Sequence, residues 1–225
     1  MVFNRNRGVI TGILFLTAMV SSLVGGGILE SVLGIPDFLT KVSANIGLIT
    51  SGVILELINA VAVIGIAVTM FPLIKRHNES LALGYVGFRI IESLLCTLSA
   101  LIPLLLLSVG LEYQKSAASE LPYIHAINTL LLTIRLNLAE IFIPLFFGLG
   151  ALVFYYLLYS MKLIPAFISI WGFIAAVLIL ILIVINGGTV INMVLVLPVI
   201  LNEIFLGIWL IVRGFREVTS TTGSA

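Results

Sequence analysis

Residues 80–109 read SLALGYVGFRIIESLLCTLSALIPLLLLSV, thirty residues carrying two charges, Arg89 and Glu92. Such a run crosses a hydrocarbon layer of about 30 Å with length to spare at 1.5 Å per residue. Apolar side chains occupy every face of it, whereas a membrane strand would alternate apolar and polar residues, so a transmembrane barrel does not fit. The rest of the chain repeats the pattern. Of its 225 residues 61% are hydrophobic and 9% are charged, with mean hydropathy +1.28. Soluble domains carry about 25% charge. Apolar runs predict six helices at 8–33, 47–74, 80–109, 128–158, 163–185 and 189–212. The expected fold is therefore all-α: a polytopic transmembrane bundle of six helices forming one domain over 1–217, with a disordered polar tail at 218–225.

The punctuation between runs is uneven. Gly34 to Ile46 contains Ile35-Pro36-Asp37, a stop and a new start, with Phe38, Leu39 and Val42 placed at the membrane interface. Residues 110–127 form the longest polar loop, with Glu112, Lys115, Glu120 and His125; Pro122 suits an early turn of the fourth helix. Asn186-Gly187-Gly188 is a turn signal that splits the last apolar stretch in two. Arg5 and Arg7 before an apolar run resemble a signal peptide, but Gly8 to Val24 exceeds the usual apolar core, and it is read as a retained first span.

Loop cations set orientation. Arg5, Arg7, Lys75, Arg76, Lys162, Arg213 and Arg216 fall on one side, Lys41 and Lys115 on the other. Both termini are thus expected in the cytoplasm and the protein in the cell (plasma or inner) membrane. Tyr155, Tyr156, Tyr159 and Trp209 then fall near one interface, Tyr113 and Tyr123 near the other, as aromatic belts do. The fifth helix has no polar side chain from Phe173 to Ile185 and is expected to face lipid broadly, leaving helices two, three, four and six around the interior.

Six ionisable residues interrupt the apolar runs: Glu56, Arg89, Glu92, Arg135, Glu140 and Glu203. A charge at mid-bilayer costs roughly 2.5–3.5 kcal/mol on insertion scales. Six uncompensated would cost on the order of 15–20 kcal/mol, more than the stability of most domains. They must face one another, a cavity or a ligand. Helical spacing groups them: Gly52, Glu56, Asn59 and Val63 share a face of helix two, and Arg89, Glu92 and Cys96 one of helix three. Asn137, Glu140, Pro144 and Gly148 do so on helix four, and Val199, Glu203 and Gly207 on helix six, with Asn202 beside them. Gly8 and Gly12 offer a close-packing patch on helix one. Arg89 and Glu92 can pair at i, i+3, while Arg135 and Glu140, five apart, diverge, so Arg135 is expected to reach another helix. Four carboxylates against two guanidiniums leave an excess of two negative charges, to be offset by protons, a cation or water. The ligand or ion candidates are Glu56, Asn59, Arg89, Glu92, Arg135, Asn137, Glu140, Asn202 and Glu203. The sober alternative is that the ion pairs only fix helix packing and that surplus acids stay neutral, bonded to Asn59, Asn137 or Asn202.

No catalytic residue, metal site or cofactor is expected. The only histidines, His77 and His125, lie in expected loops, and the lone Cys96 sits in an apolar segment as a small hydrophobe. Net charge +1 carries no message about nucleic acid. Expected partners are membrane lipids, an unknown small ligand or ion, and a second copy or another membrane protein.

Ordered motifs along the chain carry a resemblance. Gly84-Tyr85-Val86-Gly87-Phe88-Arg89-Ile90-Ile91-Glu92 has an FR-x-x-E core. Phe147-Gly148-Leu149-Gly150 leads to Tyr156-Leu157-Leu158, Leu163-Ile164-Pro165 and Trp171-Gly172. Asn202-Glu203 and Trp209-Leu210-Ile211-Val212-Arg213-Gly214-Phe215 close it. From Arg7-Gly8 to Phe215 the chain resembles the bacterial polytopic membrane family catalogued as domain of unknown function 4386. The resemblance implies a six-helix inner-membrane protein, marks Arg89, Glu92 and Glu203 as pattern positions, and implies no activity. Three functions compete: handling or sensing of a proton, ion or small ligand in the Glu/Arg interior; a non-catalytic accessory role; and an intramembrane lipid-modifying enzyme using two glutamates.

Overall fold

A computed structural model describes residues 2–35, 37–185 and 188–216. Those residues form eight α-helices, joined in two places by short 3₁₀ and π segments, and no strand. Helix α1 is Val2–Leu33, α2 Phe38–Lys41, α3 Ile46–Ile74, α4 Glu79–Tyr113, α5 Leu121–Asn137, α6 Ile143–Ser160, α7 Ala166–Ile185 and α8 Gly188–Arg213. A π-turn, Leu138–Phe142, joins α5 to α6 so that Leu121–Ser160 makes one span. The chain is a multi-pass membrane protein with six helices long and apolar enough to cross. The turn expected at Asn186-Gly187-Gly188 falls largely outside the described residues, as do Pro36 and the tail 218–225.

Two boundaries move. The fourth span begins at Leu121 rather than 128, with Pro122 in its first turn where a missing N–H costs nothing. The long loop shrinks accordingly, and His125 lies in α5 with its ring edge-on to Tyr113 at 5.3 Å. The connection after α1 is itself structured: Phe38, Leu39 and Val42 are buried, and Val42 seats against Gly110 of α4.

The spans close into a ring in chain order: α1 packs on α3, α3 on α4, α4 on α6, α6 on α7, α7 on α8, and α8 back on α1. Small residues let this happen, because in lipid helices associate through close van der Waals approach and interhelical hydrogen bonds. A methyl on Gly12 would stand 2.5 Å from the Gly207 carbonyl oxygen on α8, and one on Gly25 would stand 2.8 Å from Leu55 on α3. The Thr11 hydroxyl bonds the Thr69 hydroxyl at 3.1 Å, and Ser93 donates to the Ala60 carbonyl at 2.8 Å. After α8 the chain turns at Gly214, whose φ of +69° is in the left-handed region that glycine tolerates. Arg216 N–H then bonds the Leu163 carbonyl at 2.8 Å, fastening this end to the α6–α7 turn.

The ring is filled unevenly. At the end carrying Arg5, Ile74, Glu79, Ser160 and Arg213, a core of Phe15, Tyr85, Phe154, Leu157, Ile168, Leu206 and Leu210 unites α1, α3, α4, α6, α7 and α8. Tyr155 belongs to this core, its ring pressed on Gly172, and not to an aromatic belt. At the far end a second core, with Leu29, Phe38, Val53, Leu106 and Ile124, draws on α1 to α5 alone. Among the described residues, the far halves of α7 and α8 share a small cluster, Ala175, Ile179 and Val199.

Candidate functional site

The mismatch between the two ends leaves a cavity of about 530 Å³ inside the ring, running from mid-span towards the far end. All six spans line it, including α1 and α7, so the expectation of a four-helix interior is corrected. The apolar fifth span contributes Ile179, Leu182 and Ile183 as a greasy wall while its outer face, from Phe167 to Val184, is exposed.

Polar residues punctuate the apolar lining at three depths. At the inner end, above the terminal-end core, Arg89 Nη1 donates to Glu92 Oε2 at 2.7 Å, the i, i+3 pair that the spacing predicts. The pair is buried, Arg89 Nε has no hydrogen-bond partner, and the guanidinium lies 5.8 Å from the Phe147 ring centre. Glu203 comes in from α8 within electrostatic reach of both Arg89 and Glu92. Asn59 lines the wall nearby, its amide leaning on the Cys96 thiol at 3.9 Å.

The middle layer rests on Arg135, which does reach another helix. Its Nη2 and Nη1 donate to Glu56 Oε1 and Oε2 of α3 at 2.6 and 3.2 Å, a two-pronged pair. Nη1 also donates to the Ser99 carbonyl at 2.8 Å and the Ser99 hydroxyl at 3.2 Å. Pro103 explains why that carbonyl is free, since a proline four residues on supplies no N–H to close the helical bond. Pro144 acts the same way on Glu140. Its ring would clash with the Glu140 carbonyl in a regular helix, and the backbone instead widens, with Ile143 N–H bonding the Leu138 carbonyl five residues back. Glu140 lines the cavity from this π-turn.

Two candidates fall elsewhere. Asn137 is exposed and absent from the cavity lining, because a turn holding more than 3.6 residues no longer keeps i and i+3 on one face. Asn202 is fully buried on the other side of α8, where its amide donates to the Ile168 carbonyl at 3.1 Å as a clasp to α7. Neither bonds a surplus acid among the described residues. Conversely, Glu30 near the mouth and Asn192 on α8 line the cavity and were not singled out. Helical spacing carried both signals: Ser22, Gly26 and Glu30 follow i, i+4, i+4, and Asn192, Val196, Val199 and Glu203 follow i, i+4, i+3, i+4.

The cavity thus gathers five carboxylates, Glu30, Glu56, Glu92, Glu140 and Glu203, around two guanidiniums. Arg89 and Arg135 are taken by Glu92 and Glu56. Among the described residues no cation pairs with the other three acids. A family model described as "Domain of unknown function (DUF4386)" matches residues 10–214. The chain belongs to the DUF4386 family. No curated protein and no solved structure matches it. The DUF4386 match contains every cavity-lining residue, from Phe15 to Glu203, so the cavity lies wholly within the part of the chain that defines the family.

Proposed function

We propose that this DUF4386 protein binds a small cationic or proton-bearing solute inside the membrane, in the cavity between its six spans. The observation that carries the reading is the surplus of acids: five carboxylates line the cavity with two guanidiniums, and Glu30, Glu140 and Glu203 form no ion pair among the described residues. Glu203 is half-buried at the inner end, beside an Arg89 already held by Glu92, so added positive charge would stabilise its ionised form, whereas Glu30 and Glu140 are exposed. The walls narrow the class. Phe15, Val63, Ile66, Phe147 and Val199 suit the hydrocarbon part of an organic ammonium ion. Among the described residues no three acidic, His or Cys side chains converge tightly enough for a metal ion.

The packing-only reading accounts well for the Arg135–Glu56 and Arg89–Glu92 ion pairs. It gives no reason for Glu203. The excess of Lys and Arg at the terminal end supports a cytoplasmic location for both termini, in a cell membrane.

The test is binding of tetraethylammonium and tetraphenylphosphonium to the purified protein in mild detergent, followed by calorimetry. Saturable binding of at least one, weakened tenfold or more by Glu203→Gln, is the expected outcome. Absence of saturable binding by either, combined with no proton uptake by proteoliposomes under an imposed pH gradient, would sink the reading.

A further inference from the structure

Helix α5 is poorly held. Ile124 is its one buried side chain among the described residues, and among the spans it packs mainly on α4. Its continuation α6 is seated on both α4 and α7 and buries Gly148, Ala151, Phe154, Leu157 and Leu158. The two halves of the fourth span therefore differ sharply in how firmly the bundle grips them, and the change falls at the π-turn. That turn has two weaknesses as a rod: Pro144 supplies no N–H to the Glu140 carbonyl, and the widened loop replaces regular i→i−4 bonds. Facing it across the bundle are the far halves of α7 and α8, which present Val184, Met193 and Val194 outward and little to α5.

Beyond Ile124, the partly buried Leu131 and Leu132 and the His125–Tyr113 ring contact at the far end, what ties α5 to the rest near the π-turn is one polar side chain. Arg135, three residues before the π-turn, holds Glu56 on α3 with two prongs and the carbonyl that Pro103 frees on α4. Arg135, Ala139, Glu140 and Pro144 all line the cavity.

We infer that α5 is a hinged gate on the flank of the cavity, with the π-turn at Leu138–Phe142 as its hinge and the Arg135–Glu56–Ser99 contact as its latch. Released, α5 swings away from α3 and α4 and opens the cavity sideways to the bilayer; engaged, it closes that flank. The opposite walls stay fixed because α6, α7 and α8 are anchored in the terminal-end core. The role as an entry route rests on the cavity being the ligand site, but the motion itself is a property of the empty protein and is tested without ligand.

Hydrogen–deuterium exchange read by mass spectrometry on the full chain in nanodiscs makes that test. In the wild-type protein the segment 121–137 should exchange faster than 143–160. Glu56→Gln should accelerate 121–137 by about tenfold or more and leave 143–160 and 166–185 unchanged, as local opening does. Pro144→Ala supplies the missing N–H and should slow 121–137. A Glu56→Gln profile equal to wild type over 121–137, or a uniform rise in every span, overturns the gate. Should Glu56→Gln fail to fold, Pro144→Ala decides alone, and unchanged exchange over 121–137 overturns it. A gate that opens in a protein that binds neither quaternary cation would leave the hinge standing and remove only the cationic-ligand reading.

Discussion

At the scale of single residues, the charges within the spans divide into two kinds. Glu56 and Glu92 each hold a guanidinium, and removing either carboxylate strands a positive charge away from water. Breaking one partner of a buried pair costs roughly 3–5 kcal/mol. Glu56→Gln and Glu92→Gln should therefore melt well below the wild-type protein in detergent. Glu203 and Glu140 form no ion pair among the described residues, so Glu203→Gln and Glu140→Gln should match or exceed wild-type stability in the same thermal scan. Equal losses for all four would mean that the acids form one structural network. Arg89–Glu92 was legible in the sequence because i, i+3 on one helix is a fixed distance whatever the surroundings. The partner of Arg135 was not, because Glu56 is 79 residues away and only the ring arrangement brings α3 and α5 together.

At the scale of helices, glycines set how closely spans approach and prolines set where they yield. The Gly12–Gly207 contact joins α1 to α8 backbone to backbone. Gly12→Ala puts a methyl 2.5 Å from the Gly207 carbonyl oxygen and should destabilise by about 1–3 kcal/mol as the helices part. Gly87→Ala meets nothing within 4 Å and should be neutral or slightly stabilising through helix propensity. Thermal unfolding of the two variants side by side checks this; similar losses would mean that close approach is not what holds α1 on α8. Gly8 and Gly12 were readable as a packing patch, though their partner helix was not. Pro103 and Pro144 were readable as irregularities. Their consequence, a freed Ser99 carbonyl for Arg135 and a π-turn that moves Asn137 off the cavity, depends on which atoms stand opposite each proline.

At the scale of the whole molecule, six spans form a ring sealed at one end and hollow towards the other. If the terminal end faces the cytoplasm, the cavity points outward. Single cysteines at Lys75 and Lys115, in a Cys96→Ala background, report this directly. An impermeant maleimide added to intact cells should label Lys115→Cys and spare Lys75→Cys until the membrane is broken. Labelling in the reverse order would turn the protein over and point the cavity inward.

By itself the sequence determined the membrane, the number of spans and the residue types of a polar interior. Those follow from composition along the chain, since a long apolar run has few stable states other than a helix in lipid. It also determined that the interior holds more acid than base. Tertiary structure alone decided that all six spans, not four, enclose the cavity, that Asn137 and Asn202 stay out of it, and that Arg135 is latched to Glu56 and Ser99. Each of these turns on the rotation of one helix against another. Rotation is set by contacts between residues far apart in the chain, here glycines against backbone and a proline-widened turn, and no local period encodes it.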